Sequence, residues 1–410
     1  MRIIFTGLVS LLSIVIWAQR ECDESSFLIP SDGEILSTEL VYGSNLGYFN
    51  NEVTLSMDVY ELAEESEEPR PLVILAHGGG FVFGNKADMQ ELCEGYARLG
   101  YVCASIQYRL YPAVLAFFAD SSTVVEMSFN AISDMRGAVR YFKADADQGN
   151  QFNIDPDNII VGGISAGAIM ALHTGFFHEG DVIPEGFEAL LESKGGIEGD
   201  TGDSTNLSYN SRVQGIISLS GATFDTIWVT EDDPPIMSMH GDADDILPYG
   251  FAREGAFNRV TLYGSSKIHE RADNIGLVNF FEGVPGGGHT NIYSSPQFAE
   301  NLIRFNLNVL DIMQDIVCEE LSTSINPVQS ERAQIKIYPN PTAGQFTIMT
   351  YDEGHWEFTV FDGMGRAVLN EQSFGKGAFS IDNWSGQSGW YVVHAKLNGQ
   401  LQAANMLLLK

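Results

Sequence analysis

Ser165 lies in the pentad Gly163-Ile164-Ser165-Ala166-Gly167, directly after the apolar run Ile159-Ile160-Val161 and directly before the small-residue stretch 168–174. That order predicts a strand turning sharply into a helix, with the serine hydroxyl raised above the end of the strand. Glycines suit both flanks, because side chains there would strike the neighbouring strand or helix. A serine held this way can serve as a nucleophile when three further groups are at hand. A base must take its proton, an acid must orient the base, and N–H donors must receive the charge that develops on a substrate oxygen.

The chain offers a candidate for each. His77-Gly78-Gly79-Gly80 follows the apolar run 72–76, so the amides of Gly79 and Gly80, with that of Ala166, are expected to form an oxyanion hole. His77 and Gly78 are read as structural parts of that loop. For the acid, the strand expected at 235–239 runs into His240-Gly241-Asp242-Ala243-Asp244-Asp245. Asp244 is the choice, with Asp242 and Asp245 as caps or solvated loop charges. For the base, the strand expected at 277–282 leads to Gly286-Gly287-Gly288-His289. A histidine on a glycine-rich loop at a strand end can swing over a serine, whereas one packed in a helix cannot, so His289 is the expected base. The remaining histidines rank lower. His173 and His178 are assigned to the helix after the serine, His240 merely precedes the acid, His269 falls in a polar connection, and His355 and His394 belong to the tail.

Elements that position these groups can be read around them. A length of 410 residues suits two domains, with 44% hydrophobic residues available for a large core. The reading divides the chain into a leader at 1–18, a catalytic domain at 19–318, a polar linker at 319–332 and a tail domain at 333–410. The leader expectation rests on Arg2, a short apolar run and a small residue, Ala18, before the charged Glu21-Cys22-Asp23-Glu24. No other segment is long and apolar enough to cross a bilayer, so stable membrane insertion is not expected. Net charge is −32, only −1 of it in 333–410, which argues against nucleic acid and anionic membranes as partners. Segment 179–212, rich in Gly, Glu, Asp and Ser, is read either as a pocket-shaping insertion or as a surface excursion, with Phe187, Leu190 and Leu191 hinting at a short lid helix. Cys22, Cys93, Cys103 and Cys318 fit an oxidising compartment. Cys93-Cys103 and Cys22-Cys318 is the preferred of the three pairings that four cysteines allow. No cysteine spacing suggests a metal site, and no cofactor is expected.

Taken together, His77-Gly78-Gly79-Gly80-Phe81, Tyr108-Arg109-Leu110, the stretch from Asp134 through Arg136 to Arg140, Asn153-Ile154-Asp155-Pro156, the Ser165 pentad, and His240-Gly241 with Asp244 and Pro248 resemble a secreted α/β-hydrolase of the esterase/lipase group. The resemblance covers about 51–310 and is to the hormone-sensitive-lipase and carboxylesterase families. The acid and base loops look closer to feruloyl-esterase-like and polyester-depolymerase-like hydrolases. It implies a mostly parallel eight-stranded sheet flanked by helices, hydrolysis of carboxylic esters through an acyl-serine, and no cofactor. The chain order Ser165, Asp244, His289 is the order that this fold uses. Substrates in view are short-chain, plant-sugar-linked or polymeric esters. Lipase and peptidase action on the same fold are the alternatives within enzymes, and a non-catalytic surface adhesin is the alternative outside them.

Beyond 333 the pattern changes to period-two strands with Gly and Asn turns, which predicts a small β-sandwich. Tyr338-Pro339-Asn340-Pro341, Gly344, the turn Gly363-Met364-Gly365-Arg366 and Gly389-Trp390-Tyr391-Val392-Val393 resemble the type A C-terminal sorting domain of type IX secretion. That resemblance implies the type IX machinery as a partner and export across an outer membrane to the cell surface or medium. A carbohydrate-binding module is the rival reading, with Trp356, Trp384 and Trp390 as its stacking platforms.

Overall fold

The computed structural model describes residues 31–318, apart from 32, 65, 185 and 253–259, and residues 335–409, apart from 339–341, 343, 363–366, 382–388 and 399. The leader expected at 1–18, Cys22 and the linker expected at 319–332 lie outside the described residues.

Residues 35–317 form a three-layer structure. In chain order its strands are β1 (Ile35–Leu46), β2 (Glu52–Leu62), β3 (Arg70–Ala76), β4 (Val102–Ile106), β5 (Ile154–Ile164), β6 (Gly215–Leu219), β7 (Ala222–Thr223), β8 (Ile236–Gly241), β9 (Phe251–Ala252), β10 (Leu262–Gly264) and β11 (Asn279–Val284). Its helices are α1 (Gln90–Arg98), α2 (Ala113–Ala116), α3 (Ser121–Gln148), α4 (Ala166–Phe176), α5 (Glu188–Ser193), α6 (Ser265–Ile275) and α7 (Ala299–Val317). The central sheet has eight strands in the order β1-β2-β4-β3-β5-β6-β8-β11. β2 pairs antiparallel with both of its neighbours, and all the other pairings are parallel.

Both faces of this sheet must be covered, and the strands are apolar on both sides for that reason. In β3, Leu72, Ile74 and Ala76 enter the core cluster shared with α3 and α4, while Val73 and Leu75 enter the opposite cluster, shared with α1 and α7. β5 divides the same way, Ile159 and Val161 against Ile160. Because the connections are strand–helix–strand, every parallel strand delivers its following loop to one edge of the sheet, where ligands of open α/β sheets bind. The loops holding residues 77–84, 165, 220, 242–248 and 285–293 all leave from that edge.

The segment expected at 179–212 is a packed insertion. α5 buries Leu191, and the Phe187 ring meets Phe129 and Phe224 at 5.7 Å centroid separations. Farther on, Arg140 donates to the carbonyl oxygens of Glu198 (2.6 Å) and Thr201 (2.8 Å), and Arg136 donates to Ser211 Oγ at 3.3 Å and pairs with Glu198 Oε1 at 3.5 Å. A buried ion pair, Arg109 with Asp134 at 2.8 Å, accepts Thr201 Oγ1 as a further donor at 2.7 Å. The insertion is thereby fastened along α3, and the surface-excursion reading gives way to a structural one.

The tail domain contains β12 (Ile335–Tyr338), β13 (Phe346–Thr350), β14 (His355–Asp362), β15 (Ala367–Phe374), β16 (Gly377–Ile381), β17 (Gly389–Leu397) and β18 (Gln400–Leu409). They make a three-stranded sheet, β12-β13-β16, and a four-stranded one, β15-β14-β17-β18. Phe346, Ile348 and Ile381 of the first share one core with Trp356, Phe358, Val360 and Val393 of the second. Trp356 is fully buried there and donates Nε1–H to Asp352 O at 3.1 Å, so it cannot be the stacking platform that the carbohydrate-module reading requires. Trp384 and the Trp390 side chain lie outside the described residues.

Candidate active site

Ser165 sits between β5 and α4 at φ 56°, ψ −114°. This is a conformation that a residue with a Cβ rarely adopts, and it is kept only where the surroundings enforce it. They do so here through glycines. A Cβ on Gly163 would lie 2.5 Å from Ala76 O, and one on Gly167 would lie 2.0 Å from that same oxygen, so β3, β5 and α4 approach as closely as they do only because both positions lack side chains. The Ser165 N–H continues the β5–β6 ladder to Leu219 O at 2.8 Å.

The three residues proposed from distant stretches converge. His289 Nε2 lies 2.8 Å from Ser165 Oγ, and His289 Nδ1 lies 2.6 Å from Asp244 Oδ2. The Asp244 side chain is fully buried, Ser165 is 6% exposed and the His289 side chain 12%, so solvent reaches the serine and the imidazole only slightly and the carboxylate not at all. Burial by itself would push the Asp244 carboxyl up. Hydrogen bonds from His240 and His289, the charge on His289 and the Leu247 N–H outweigh it and hold the carboxyl well below the usual carboxylate range. An ionised Asp244 requires N–H at His289 Nδ1, which leaves Nε2 bare to accept the serine proton.

Opposite the serine, the 77–84 loop presents backbone rather than side chains. Gly79 has φ +112° and Gly80 φ +63°, and among the described residues the N–H groups of Gly79, Gly80 and Ala166 donate to no protein group. Ala166 N–H is also one of the orphan donors in the first turn of α4, where the helix dipole favours negative charge. His77 is held against the loop by several contacts. Its Nδ1 lies 2.7 Å from Gly78 O, its ring stacks on Tyr108 at 4.3 Å, and the Tyr108 hydroxyl donates to His77 O at 3.0 Å. Gly78 fits against the serine turn, since a Cβ there would be 3.2 Å from Ile164 O.

Four expectations need correction. His240 does more than precede the acid: its Nε2 lies 3.0 Å from Asp244 Oδ2, the oxygen that His289 also contacts. Asp242 is exposed but is more than a solvated loop charge, because its Oδ1 accepts Gly286 N–H at 2.6 Å and ties the acid loop to the base loop. His269 is buried in α6 rather than set in a polar connection, and His178 falls beyond the end of α4, with its Nε2 3.4 Å from Asp233 Oδ1. Ser220 and Tyr293, which no motif marks, also belong to the site: Ser220 Oγ donates to His289 O at 2.8 Å and lies 2.6 Å from Tyr293 Oη. Five strand positions between Gly215 and Ser220 would have given only a weak hint, through the equivalence of strand ends in a parallel sheet.

Cys93 and Cys103 are brought together as buried thiols, Sγ to Sγ 2.9 Å, and burial pushes the Cys103 thiol up. Cys318 is disulfide-bonded, and its expected partner, Cys22, lies outside the described residues. Among the described residues no cluster of His, Cys, Asp and Glu has the geometry to hold a metal, and no helix is long and apolar enough to cross a membrane. A cleft of about 540 Å³ between the first turns of α3 and residues 184–190 and 224–225 is lined by Val125, Phe187, Leu190 and Phe224 among others, and by none of Ser165, His289 and Asp244.

An eight-stranded, mostly parallel sheet flanked by helices, with a serine on a left-handed turn between a strand and a helix, defines an α/β-hydrolase fold. Residues 57–225 match the BD-FAE family, and residues 336–409 match the secretion system C-terminal sorting domain. The chain thus joins an esterase/lipase-like domain to a C-terminal sorting domain. It is similar to Esterase LipC of Mycobacterium tuberculosis, 26% identical over 257 residues that cover 57% of this chain and 56% of LipC. It is also similar to Esterase-5B of Drosophila persimilis, 33% identical over 118 residues that cover 28% of this chain and 20% of that protein. The chain therefore spans about half the length of the first of these relatives and less of the second. Among solved structures, the propionate-bound esterase Est2 of Thermogutta terrifontis is 17% identical, with a TM-score of 0.48, 70% of this chain and 94% of that one being covered.

Proposed function

We propose that this chain is an exported serine carboxylic-ester hydrolase working through an acyl-enzyme. The observation that carries the reading is the continuous chain Ser165 Oγ, His289 Nε2, His289 Nδ1, Asp244 Oδ2, with links of 2.8 and 2.6 Å, at the edge of the sheet where the free amides of Gly79, Gly80 and Ala166 also gather. In this reading His289 takes the proton of Ser165 as its oxygen attacks the ester carbonyl, and the three amides receive the oxyanion. Asp244 holds the imidazole in the productive tautomer and stabilises it while it is charged. His289 then gives the proton to the departing alcohol, activates water, and the acyl group leaves as the acid. No step requires a cofactor.

Short-chain, plant-sugar-linked and polymeric esters are the proposed substrate range. Export through the type IX machinery is the proposed task of the tail, consistent with its match to the sorting-domain family. Ser165→Ala tests the chemistry. The variant should keep the wild-type unfolding transition and lose p-nitrophenyl acetate hydrolysis, since loss of the nucleophile leaves only the residual catalysis of the amide pocket. Hydrolysis retained at the wild-type rate would end this reading.

A further inference from the structure

Asp244 carries three hydrogen bonds beyond its pairing with His289. Oδ1 accepts the N–H groups of Ile246 (2.8 Å) and Leu247 (3.0 Å), while Oδ2 faces two imidazoles, His289 at 2.6 Å and His240 at 3.0 Å. His240 is the residue before the last of β8, four positions ahead of the acid, and it is fully buried. Its other nitrogen, Nδ1, lies 2.9 Å from Ser265 Oγ at the start of α6, and that hydroxyl is 3.4 Å from Gly221 O. The Ser265 hydroxyl can donate to Nδ1, or accept from it and donate to Gly221 O. With the ionised carboxylate opposite Nε2, the neutral ring carries its proton on Nε2 and directs it at Asp244, and Nδ1 then accepts the Ser265 hydroxyl.

We infer that His240 is a positioning residue that shares the Asp244 carboxylate with His289 and so sets how much of its negative charge the base receives. The inference rests on the proposed roles of Ser165, His289 and Asp244. A carboxylate oxygen that accepts two N–H donors divides its charge between them. Without His240, the imidazolium form of His289 gains the whole of that stabilisation, and the neutral base is reached only at higher pH. His240 also fixes the carboxylate plane, since with the two loop amides on Oδ1 it leaves Oδ2 no freedom to turn away from His289.

The other titratable groups around the pair do not compete for this role. Tyr249 meets the His240 ring edge-on at 5.7 Å, and Tyr293 lies on the Asp244 side; burial raises both phenols, which stay neutral across the working range. Of the other carboxylates on the acid loop, Asp242 is engaged with Gly286 N–H and Asp245 is exposed to solvent. Across the sheet, the residue paired with His240 on β11 is Gly283, which brings no charge.

Two substitutions separate positioning from packing, because each keeps one of the two hydrogen bonds. His240→Asn places an amide where Nδ1 was, so it can meet Ser265 and cannot reach Asp244. His240→Gln places its amide nitrogen where Nε2 was, so it reaches Asp244. In His240→Asn, kcat for p-nitrophenyl acetate should fall roughly tenfold with KM nearly unchanged, and the acid limb of kcat/KM should move up by about half a pH unit, whereas His240→Gln should stay within about threefold of wild type with its acid limb in place. The midpoint of the His289 imidazole titration, followed by NMR in the resting protein, should move in step. Because that readout needs no turnover, it stands apart from the esterase reading, whose own failure would appear as hydrolysis insensitive to Ser165→Ala. Equal loss in the two variants, greater loss in His240→Gln, unfolding of His240→Asn, or an imidazole midpoint that does not move in His240→Asn would make His240 a packing residue and overturn the inference.

Discussion

Gly241→Ala is the perturbation that best tests whether the sheet edge itself holds the acid and the base in register. Gly241 ends β8, and a Cβ there would lie 2.1 Å from Gly287 O, 2.3 Å from Gly287 C and 2.8 Å from Gly288 O, all of them backbone atoms. An ordinary carbon–oxygen contact of about 3.4 Å would require the 287–288 peptide to withdraw by about 1.3 Å. It has little room to do so alone, because Ala243 N–H donates to Gly287 O (2.9 Å), Asp242 holds Gly286 N–H (2.6 Å) and Ser220 Oγ holds His289 O (2.8 Å). The displacement therefore passes to His289, one residue beyond Gly288. A misplacement of about 1 Å in a reacting constellation costs on the order of 100-fold in rate, or about 2.7 kcal/mol of barrier. The expected result is a kcat for p-nitrophenyl acetate lowered roughly 100-fold with KM changed little, and about 1–3 kcal/mol lost from urea unfolding through overpacking. Gly95→Ala serves as the comparison: it lies inside α1 with no atom within 4 Å of the added Cβ, and it should stabilise by about 0.5–1 kcal/mol with full activity. A Gly241→Ala enzyme with kcat within threefold of wild type would refute the reasoning, since it would mean that the base loop tolerates the shift or does not hold the base.

Two other outcomes follow from buried groups. Burial lowers His173 and His269 to about 4. His173 Nε2 faces the Phe224 N–H, and His269 Nε2 is buried without a hydrogen-bond partner, so a second proton is poorly accommodated on either ring. In the unfolded chain a histidine titrates near 6.5, so the unfolded state takes up protons first as pH falls. Each ring then withdraws up to about 3 kcal/mol of stability between pH 6.5 and 4, none of which is lost above pH 7. Urea unfolding measured across that range should show the decline, with a shallower slope in His173→Gln; a flat profile in the wild type would contradict it. For the cysteines, non-reducing peptide mapping of the exported protein should recover Cys93 joined to Cys103, whose thiols already sit 2.9 Å apart, and reduction should cost about 3 kcal/mol, the loop-closure value for a bridge this short. Recovery of both as free thiols would reject the bridge.

The site was legible wherever its chemistry is written in local backbone constraints. Gly163 and Gly167 are in the sequence because a strand and a helix must pass within contact of Ala76 O. Gly79 and Gly80 take left-handed backbone angles in the loop beside the serine, Gly286 takes another at φ +69°, and Gly287 crosses a crowded strand end where a Cβ would lie 2.4 Å from Ile292. These requirements act over a few residues, so runs of glycine beside apolar strands carry them openly. The eight-stranded sheet followed from the resemblance to α/β-hydrolases, and the small β-sandwich tail from period-two patterning. The reading went astray where a polar side chain's partner comes from another segment. His240, Asp242 and His269 look alike in the sequence, as polar residues near strand or helix ends, and nothing local separates a carboxylate that caps its own loop from one that binds a glycine 44 positions away.

The sequence by itself therefore determined the strand-to-helix turn at Ser165, the glycine loop at 78–80, the chain order of Ser165, Asp244 and His289, and the change of pattern beyond residue 333. Tertiary structure alone decided that Asp244 serves two imidazoles, that Ser220 and Tyr293 brace the base loop, and that residues 179–212 are bolted to α3 by Arg136, Arg140 and Asp134. The physical reason is range. Steric limits on the backbone are set by neighbours along the chain, whereas the partner of a buried charge or hydroxyl is chosen by which strand ends the sheet order brings side by side.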